Sequence, residues 1–390
     1  MFHPRKDFIV PRFPIITTFA AVVALAAGGA FIADDAEAQA TQSKTEKPAK
    51  ATAKGKEKAA GEATTKPGRT YGSTALDEKD SDQRTFADLD NDVFHAMVLL
   101  DRAQFSPGVI DGREGKNFTA ALKGFQEARG LEVTGELDTP TRKALKVDKR
   151  KPTRMLRIDE TEFGSPFVTI PDDAEKQAEL DAMAYENLLE EVAERFHTTR
   201  ETLIALNGDK ARNVRIGTVL QLPNVLPTSR DYSVKSEYRD MFNALNIEPE
   251  PRKRGVRITV DKSDGQMRVW DKDDKLVATF PVTTGSEHDP LPLGDWKVTT
   301  FAFLPPFHYQ PDLFWDVDSS KKDTMLPPGP NGPVGVAWLD LTKEHYGIHG
   351  TPEPQTIGYT ESHGCLRMTN WDVLTLSRIL DPGFKAKFVA

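Results

Sequence analysis

Cysteine is all but missing from this chain: its 390 residues contain one, Cys365. An internal disulfide is therefore excluded. The thiol is left as a buried filler, half of an intermolecular bridge, or a reactive group. Positive charge is also in deficit, with 51 Lys and Arg against 59 Asp and Glu and a net charge of −8. That balance argues against nucleic acid as the main partner. Long apolar runs are absent except near the N-terminus. There Arg5, Lys6 and Arg12 precede an uncharged, mostly apolar stretch from Ile15 to Ile32, and Ala38-Gln39-Ala40 supplies an A-x-A site. Residues 1–40 thus read as a signal peptide, with an uncleaved anchor as the alternative. The expected mature protein is exported, to the periplasm or cell envelope, with no stable membrane span after cleavage.

Large apolar side chains are also nearly missing from residues 41–87, which are rich in Lys, Ala, Thr and Glu. Such a segment cannot bury enough surface to order itself and reads as a disordered linker. Residues 88–147 have a different character. Val93, Met97, Leu99 and Leu100 have helical spacing, as do Phe118, Ala121, Leu122 and Phe125. Gly130 marks a helix end and Pro140 opens a third helix. This predicts a small helical bundle. Asp111-Gly112, Thr119, Phe125-Gln126, Gly130-Leu131, Gly135-Glu136 and Thr141 to Leu145 resemble the peptidoglycan-binding domain of type 1.

Residues 180–226 form another unit. Leu188, Leu189, Val192, Ala193 and Phe196 fit a helix, Thr199 caps a second, and Val219 to Pro223 alternate like a strand. Phe196, Leu203, Leu206-Asn207, Gly217 and Leu222-Pro223 resemble a LysM module, a carbohydrate-binding βααβ fold. The usual Gly-Asp is replaced around Tyr185-Glu186-Asn187, so sugar binding and a purely architectural role both stay open. Residues 255–390 are strand-rich, beginning with a hairpin of Val256 to Val260 and Gln266 to Trp270 around Ser263-Asp264-Gly265. Residues 304–333 are crowded with proline and aromatics and read as a lid, a wall or a packed surface loop.

Cys365 lies in Ser362-His363-Gly364-Cys365-Leu366-Arg367, downstream of His349-Gly350. Thiolate is the nucleophile, so a catalytic cysteine needs a group that takes its proton, and imidazole does this near neutral pH. His349 and His363 are both candidates, and amides near Gly350 and Gly364 could serve an oxyanion. A zinc site of His345, His349, His363 and Cys365 is a rival reading. Gly347 and Gly350 oppose the helix that such a histidine pair needs.

His349-Gly350-Thr351, Gly358 and Ser362 through Asn370 resemble the signature of the YkuD-type L,D-transpeptidases. The likeness extends back through Pro292 to Trp296, Gly329-Pro330-Asn331 and Pro333-Val334-Gly335. The resemblance implies a multidomain α+β chain whose catalytic domain is mostly β and sandwich-like. It implies that Cys365 attacks the third residue of a peptidoglycan tetrapeptide stem, releases D-Ala and passes the acyl group to an amine, giving a 3–3 cross-link. His349 would be the base. His363, Gly364, Gly350 and Ser362 would support the oxyanion and the loop, and Arg367 would orient the loop or a substrate carboxylate. Acylation by carbapenem-type inhibitors is implied, and no metal or organic cofactor. Stem hydrolysis, protein attachment to the wall, or a non-catalytic wall-binding role are the alternatives. Because residues 88–147 hold none of these groups, the bundle is expected to be separable from the chemical step.

Overall fold

The computed structural model describes residues 89–314, 317 and 320–390. The expected signal peptide and linker lie outside these residues. Three helices open the described chain: α1 (Asn91–Arg102), α2 (Lys116–Arg129) and α3 (Thr139–Leu145). Asp90 caps α1 by accepting from Asp92 N–H at 2.8 Å, and Asp138 caps α3 through Thr141 N–H at 2.8 Å. Gly130 ends α2 at φ +64°. Gln126 is fully buried. Its amide nitrogen lies within 3.0 Å of Thr134 Oγ1, Glu136 O and Thr141 Oγ1, and its oxygen accepts from Gly135 N–H at 2.8 Å. One side chain thereby ties α2, the following turn and α3 together.

The next unit runs β1 (Thr153–Arg157), α4 (Ala174–Gln177), α5 (Leu188–Arg195), α6 (Arg200–Asn207), α7 (Asp209–Arg212) and β2 (Val219–Pro223). Thr199 caps α6 as expected, accepting from Thr202 N–H at 3.2 Å. Strand β2 pairs antiparallel with β1, Thr153 opposite Pro223. This partner strand lies outside the expected boundaries of 180–226. Its sequence, Thr-Arg-Met-Leu-Arg, lacks the alternation that marks a half-buried strand, and Met155 is in fact exposed. Bundle and unit share one apolar core that includes Phe118, Phe125, Leu189, Val192, Phe196 and Leu220.

After α8 (Ser236–Ala244) the chain is dominated by β3 (Arg257–Asp261), β4 (Gln266–Trp270), β5 (Leu276–Pro281), β6 (Gly294–Phe303), β7 (Phe307–Tyr309), β8 (Thr324–Leu326), β9 (Ala337–Leu341), β10 (Gly347–His349) and β11 (Leu366–Arg367). Helix α9 (Asn370–Ile379) and strand β12 (Lys385–Val389) complete it. The β3–β4 hairpin turns at Ser263-Asp264-Gly265, as expected. Eight strands form one sheet in the order β11-β10-β9-β6-β12-β3-β4-β5. The C-terminal strand is thus central, parallel to β3 and antiparallel to β6.

The domain is a curled sheet rather than the expected sandwich. Its two edges meet where Thr283 N–H donates to Arg367 O (3.1 Å) and Arg367 N–H to Thr283 O (3.0 Å). Closure satisfies edge groups that an open sheet would leave unpaired. Residues 304–333 are not a plain loop, because β7 and β8 pair antiparallel within them.

The bundle is built into this sheet. Ser106 N–H donates to Thr279 O (2.8 Å) and Thr279 N–H to Gln104 O (3.0 Å), so residues 104–106 cover β5. Gly124 on α2 permits the approach, since a Cβ there would sit 2.6 Å from Thr279 Cγ2. The expected separability of the bundle does not match this construction.

Candidate active site

Three adjacent strands assemble the site. His349 ends β10, which runs parallel to β11 with Ile348 opposite Leu366 and His349 opposite Arg367. That register brings Cys365, one residue before β11, level with Gly347. On the other side Trp338 of β9 faces His349 across an antiparallel pair, and their rings stack at 5.5 Å and 15°. The imidazole is buried, and its Nδ1–H donates to Gly350 O at 2.7 Å. That bond fixes the tautomer and leaves Nε2 as the acceptor nitrogen.

The thiol of Cys365 is half-buried and donates to the His345 carbonyl at 3.6 Å. Burial pushes its pKa up to about 11, although Gly347 N–H and the Arg367 charge pull the other way. Burial pushes His349 down to about 4, against the pull of the Gly350 carbonyl and with the help of Arg367. At pH 7 both groups therefore rest in their neutral forms, a thiol and an imidazole rather than an ion pair.

The remaining expected residues divide by role. Ser362 is buried, and its hydroxyl donates to Cys365 O at 2.6 Å, closing the loop on itself. Gly364 has φ +99°, and a Cβ would lie 2.7 Å from the Tyr346 ring, so the turn before the cysteine needs glycine. The His363 ring lies edge-on to Phe314 at 5.1 Å and 77°. Phe314, from the 304–333 segment, thus packs against this histidine. Arg367 is partly buried, and its charge interacts with Glu353 and Cys365. His345, considered as a metal ligand, is exposed and pairs with Glu344 at 3.6 Å, and only its carbonyl reaches the thiol.

Trp338 and Asn117 escaped the sequence reading, and Asn370 entered it only as the last residue of the signature run. Trp338 gives His349 its stacking partner. Asn117 of α2 donates to Ile357 O at 2.9 Å and steadies the segment that leads to Ser362. Asn370 accepts from Val336 N–H at 3.1 Å and reaches Glu194 of α5 at 2.5 Å. Alternation at β9 signals Trp338 only as a strand residue. Nothing local signals the contacts of Asn117 or Glu194, which are 240 and 176 positions from their partners.

Comparison with known proteins agrees with this architecture. Residues 255–387 match the family described as the L,D-transpeptidase catalytic domain, YkuD, and residues 90–145 match a peptidoglycan binding domain. The L,D-transpeptidase YkuD of Bacillus licheniformis is 30% identical over 196 residues, covering 50% of this chain and 89% of that protein. The Bacillus subtilis YkuD is 54% identical over 54 residues, 14% of this chain and 33% of its own length. Among solved structures, L,D-transpeptidase 3 of Mycobacterium tuberculosis, in complex with a faropenem-derived adduct, is 15% identical. It covers 35% of this chain and 60% of that one, with a TM-score of 0.29. The extent of the match to the Bacillus licheniformis protein settles the relation. This chain belongs to the L,D-transpeptidase family and is a transpeptidase with a peptidoglycan-binding domain ahead of its catalytic sheet.

Proposed function

We propose that the protein is an exported cysteine L,D-transpeptidase that cuts and rejoins peptidoglycan stem peptides. The observation that carries this reading is the His349 Nδ1–H bond to Gly350 O beside the Cys365 strand, since it reserves Nε2 for proton transfer. Cys365 Sγ attacks the carbonyl of the third stem residue as its proton passes to His349 Nε2. The C–N bond to the terminal D-Ala then breaks, and His349 returns the proton to the leaving amine. An acceptor amine attacks the thioester, loses its proton to His349, and releases the thiol. With thiol and imidazole both neutral at rest, proton transfer accompanies attack.

The amides near Gly364 and Cys365, with His363, receive the oxyanion. Gly350 and Ser362 hold the backbone around it. Arg367, paired electrostatically with Glu353, orients the loop or a substrate carboxylate. The peptidoglycan-binding domain delivers the enzyme to its polymer. The β1–β2 unit acts as a LysM-like module docked on the catalytic sheet. Carbapenem-type inhibitors acylate the same sulfur.

Incubation of purified protein with tetrapeptide-bearing muropeptides, followed by mass spectrometry, tests the reading. New 3–3 dimers are the expected product. Shortened tripeptides alone would make it a hydrolase, and unchanged muropeptides with no Cys365 adduct would remove the enzyme assignment in this form.

A further inference from the structure

Asn370 is fully buried at the first turn of α9. Its Oδ1 accepts from Val336 N–H (3.1 Å), and its Nδ2 lies 2.5 Å from Glu194 Oε1 and 3.2 Å from Pro330 O. Two glycines make room for it. A Cβ on Gly350 would lie 2.0 Å from Asn370 Oδ1, and one on Gly335 would lie 1.9 Å from it. The amide oxygen is thus wedged between two backbone segments, and one of them is the residue whose carbonyl orients the base.

Glu194 comes from α5 in the β1–β2 unit, not from the catalytic sheet. It is 6% exposed. Burial pushes its pKa up to about 8, so at pH 7 it is mostly a neutral carboxyl that accepts from the Asn370 amide. An acidic group is a costly way to fill an apolar contact, where a leucine would pack as well. A second link runs alongside: Asn331 Nδ2 reaches Glu190 Oε1 (2.7 Å) and Ala184 O (3.0 Å). Together they fasten α5 and the residues before it to the 328–336 segment and to α9.

We propose that Glu194 and Asn370 are positioning residues for the transpeptidase reaction: the docked module holds Asn370, Asn370 holds Gly350, and Gly350 aims His349. This rests on the assignment of His349 as the base for Cys365. The order of contacts is linear, so removing either link misaims the same ring. A misplaced base slows the chemical step and leaves ground-state binding alone.

The test is carbapenem acylation of the full chain, followed by intact mass and stopped-flow fluorescence. Glu194→Ala and Asn370→Ala should each lower the maximal acylation rate by about ten-fold or more, with the half-saturating concentration within about two-fold. Glu194→Gln keeps an acceptor of the same shape and should stay within about two-fold of the parent rate. The double variant Glu194→Ala with Asn370→Ala should lose no more than Asn370→Ala alone. Nitrogen NMR of His349 should show one Nδ1–H tautomer in the parent and a tautomer mixture in Asn370→Ala. If Asn370→Ala does not fold, Asn370→Ser carries the same expectations. Unchanged rates, additive losses, equal losses for Gln and Ala, or an unchanged tautomer would overturn the proposal. A parent enzyme that forms no Cys365 adduct would instead overturn the reading on which it rests.

Discussion

At the scale of single residues, the site is a neutral pair rather than a resting thiolate. Cys365→Ala should give no covalent carbapenem adduct, because no other thiol exists to replace it; intact mass reads this directly. Iodoacetamide alkylation of Cys365 should rise roughly ten-fold per pH unit from neutral pH toward about 11, with no plateau near pH 7. A plateau starting below pH 7 would mean a preformed ion pair and would contradict the burial argument. His349→Ala should slow carbapenem acylation more than His363→Ala, since the Gly350 carbonyl holds the His349 ring with Nε2 as the acceptor nitrogen. The reverse order would move the base to His363.

At the scale of elements, the bundle behaves as part of the catalytic fold. Deleting residues 88–147 should destroy the carbapenem adduct as well as polymer binding, because it strips the cover from β5 at Thr279 and removes Asn117 from Ile357. An adduct formed at the parent rate by the truncated chain would show that the sheet stands alone. A smaller change isolates one contact. Asn117→Ala leaves the Ile357 carbonyl without its donor and should cost about 1–3 kcal/mol, seen as a lower urea midpoint at an unchanged slope.

At the scale of the whole molecule, the modules meet in a buried polar cluster. His197 lies between Asp101 (3.1 Å) and Leu245 O (2.8 Å), stacks on Trp371, and neighbours Asp372, which accepts from Ser106 at 2.9 Å. Burial pushes Asp372 up to about 7, and Glu194, beside Glu190 and Tyr185, up to about 8. A carboxyl whose folded pKa is raised supports the fold at low pH and loses that support as pH rises through the folded value. His197, also raised, acts with the same sign. His349 is depressed and acts oppositely, but only between about 4 and 6.5. Tm should therefore fall between pH 6.5 and 8.5. Glu194→Gln with Asp372→Asn should flatten that slope. A Tm that rises across this range in the parent would show that the cluster does not govern the interface.

Sequence alone determined what is local. The Ser362 to Arg367 run and His349-Gly350 singled out a candidate nucleophile and two candidate histidines, because thiol chemistry needs an imidazole nearby. Asp-Gly turns, caps and apolar spacing gave the three helices of the bundle and the β3–β4 hairpin, since each depends on neighbours a few residues away. Tertiary structure decided what depends on distant chain. Strand β1 exists because β2 offers it a partner, not because Thr153 to Arg157 alternate. Strand β12 sits in mid-sheet because both β3 and β6 pair with it. The thiol sits near 11 rather than near neutrality because desolvation outweighs Arg367 and the Gly347 amide, a balance set by burial that no motif encodes. The link from Glu194 to Asn370 spans 176 positions, and only the docking of α5 on α9 brings the two together.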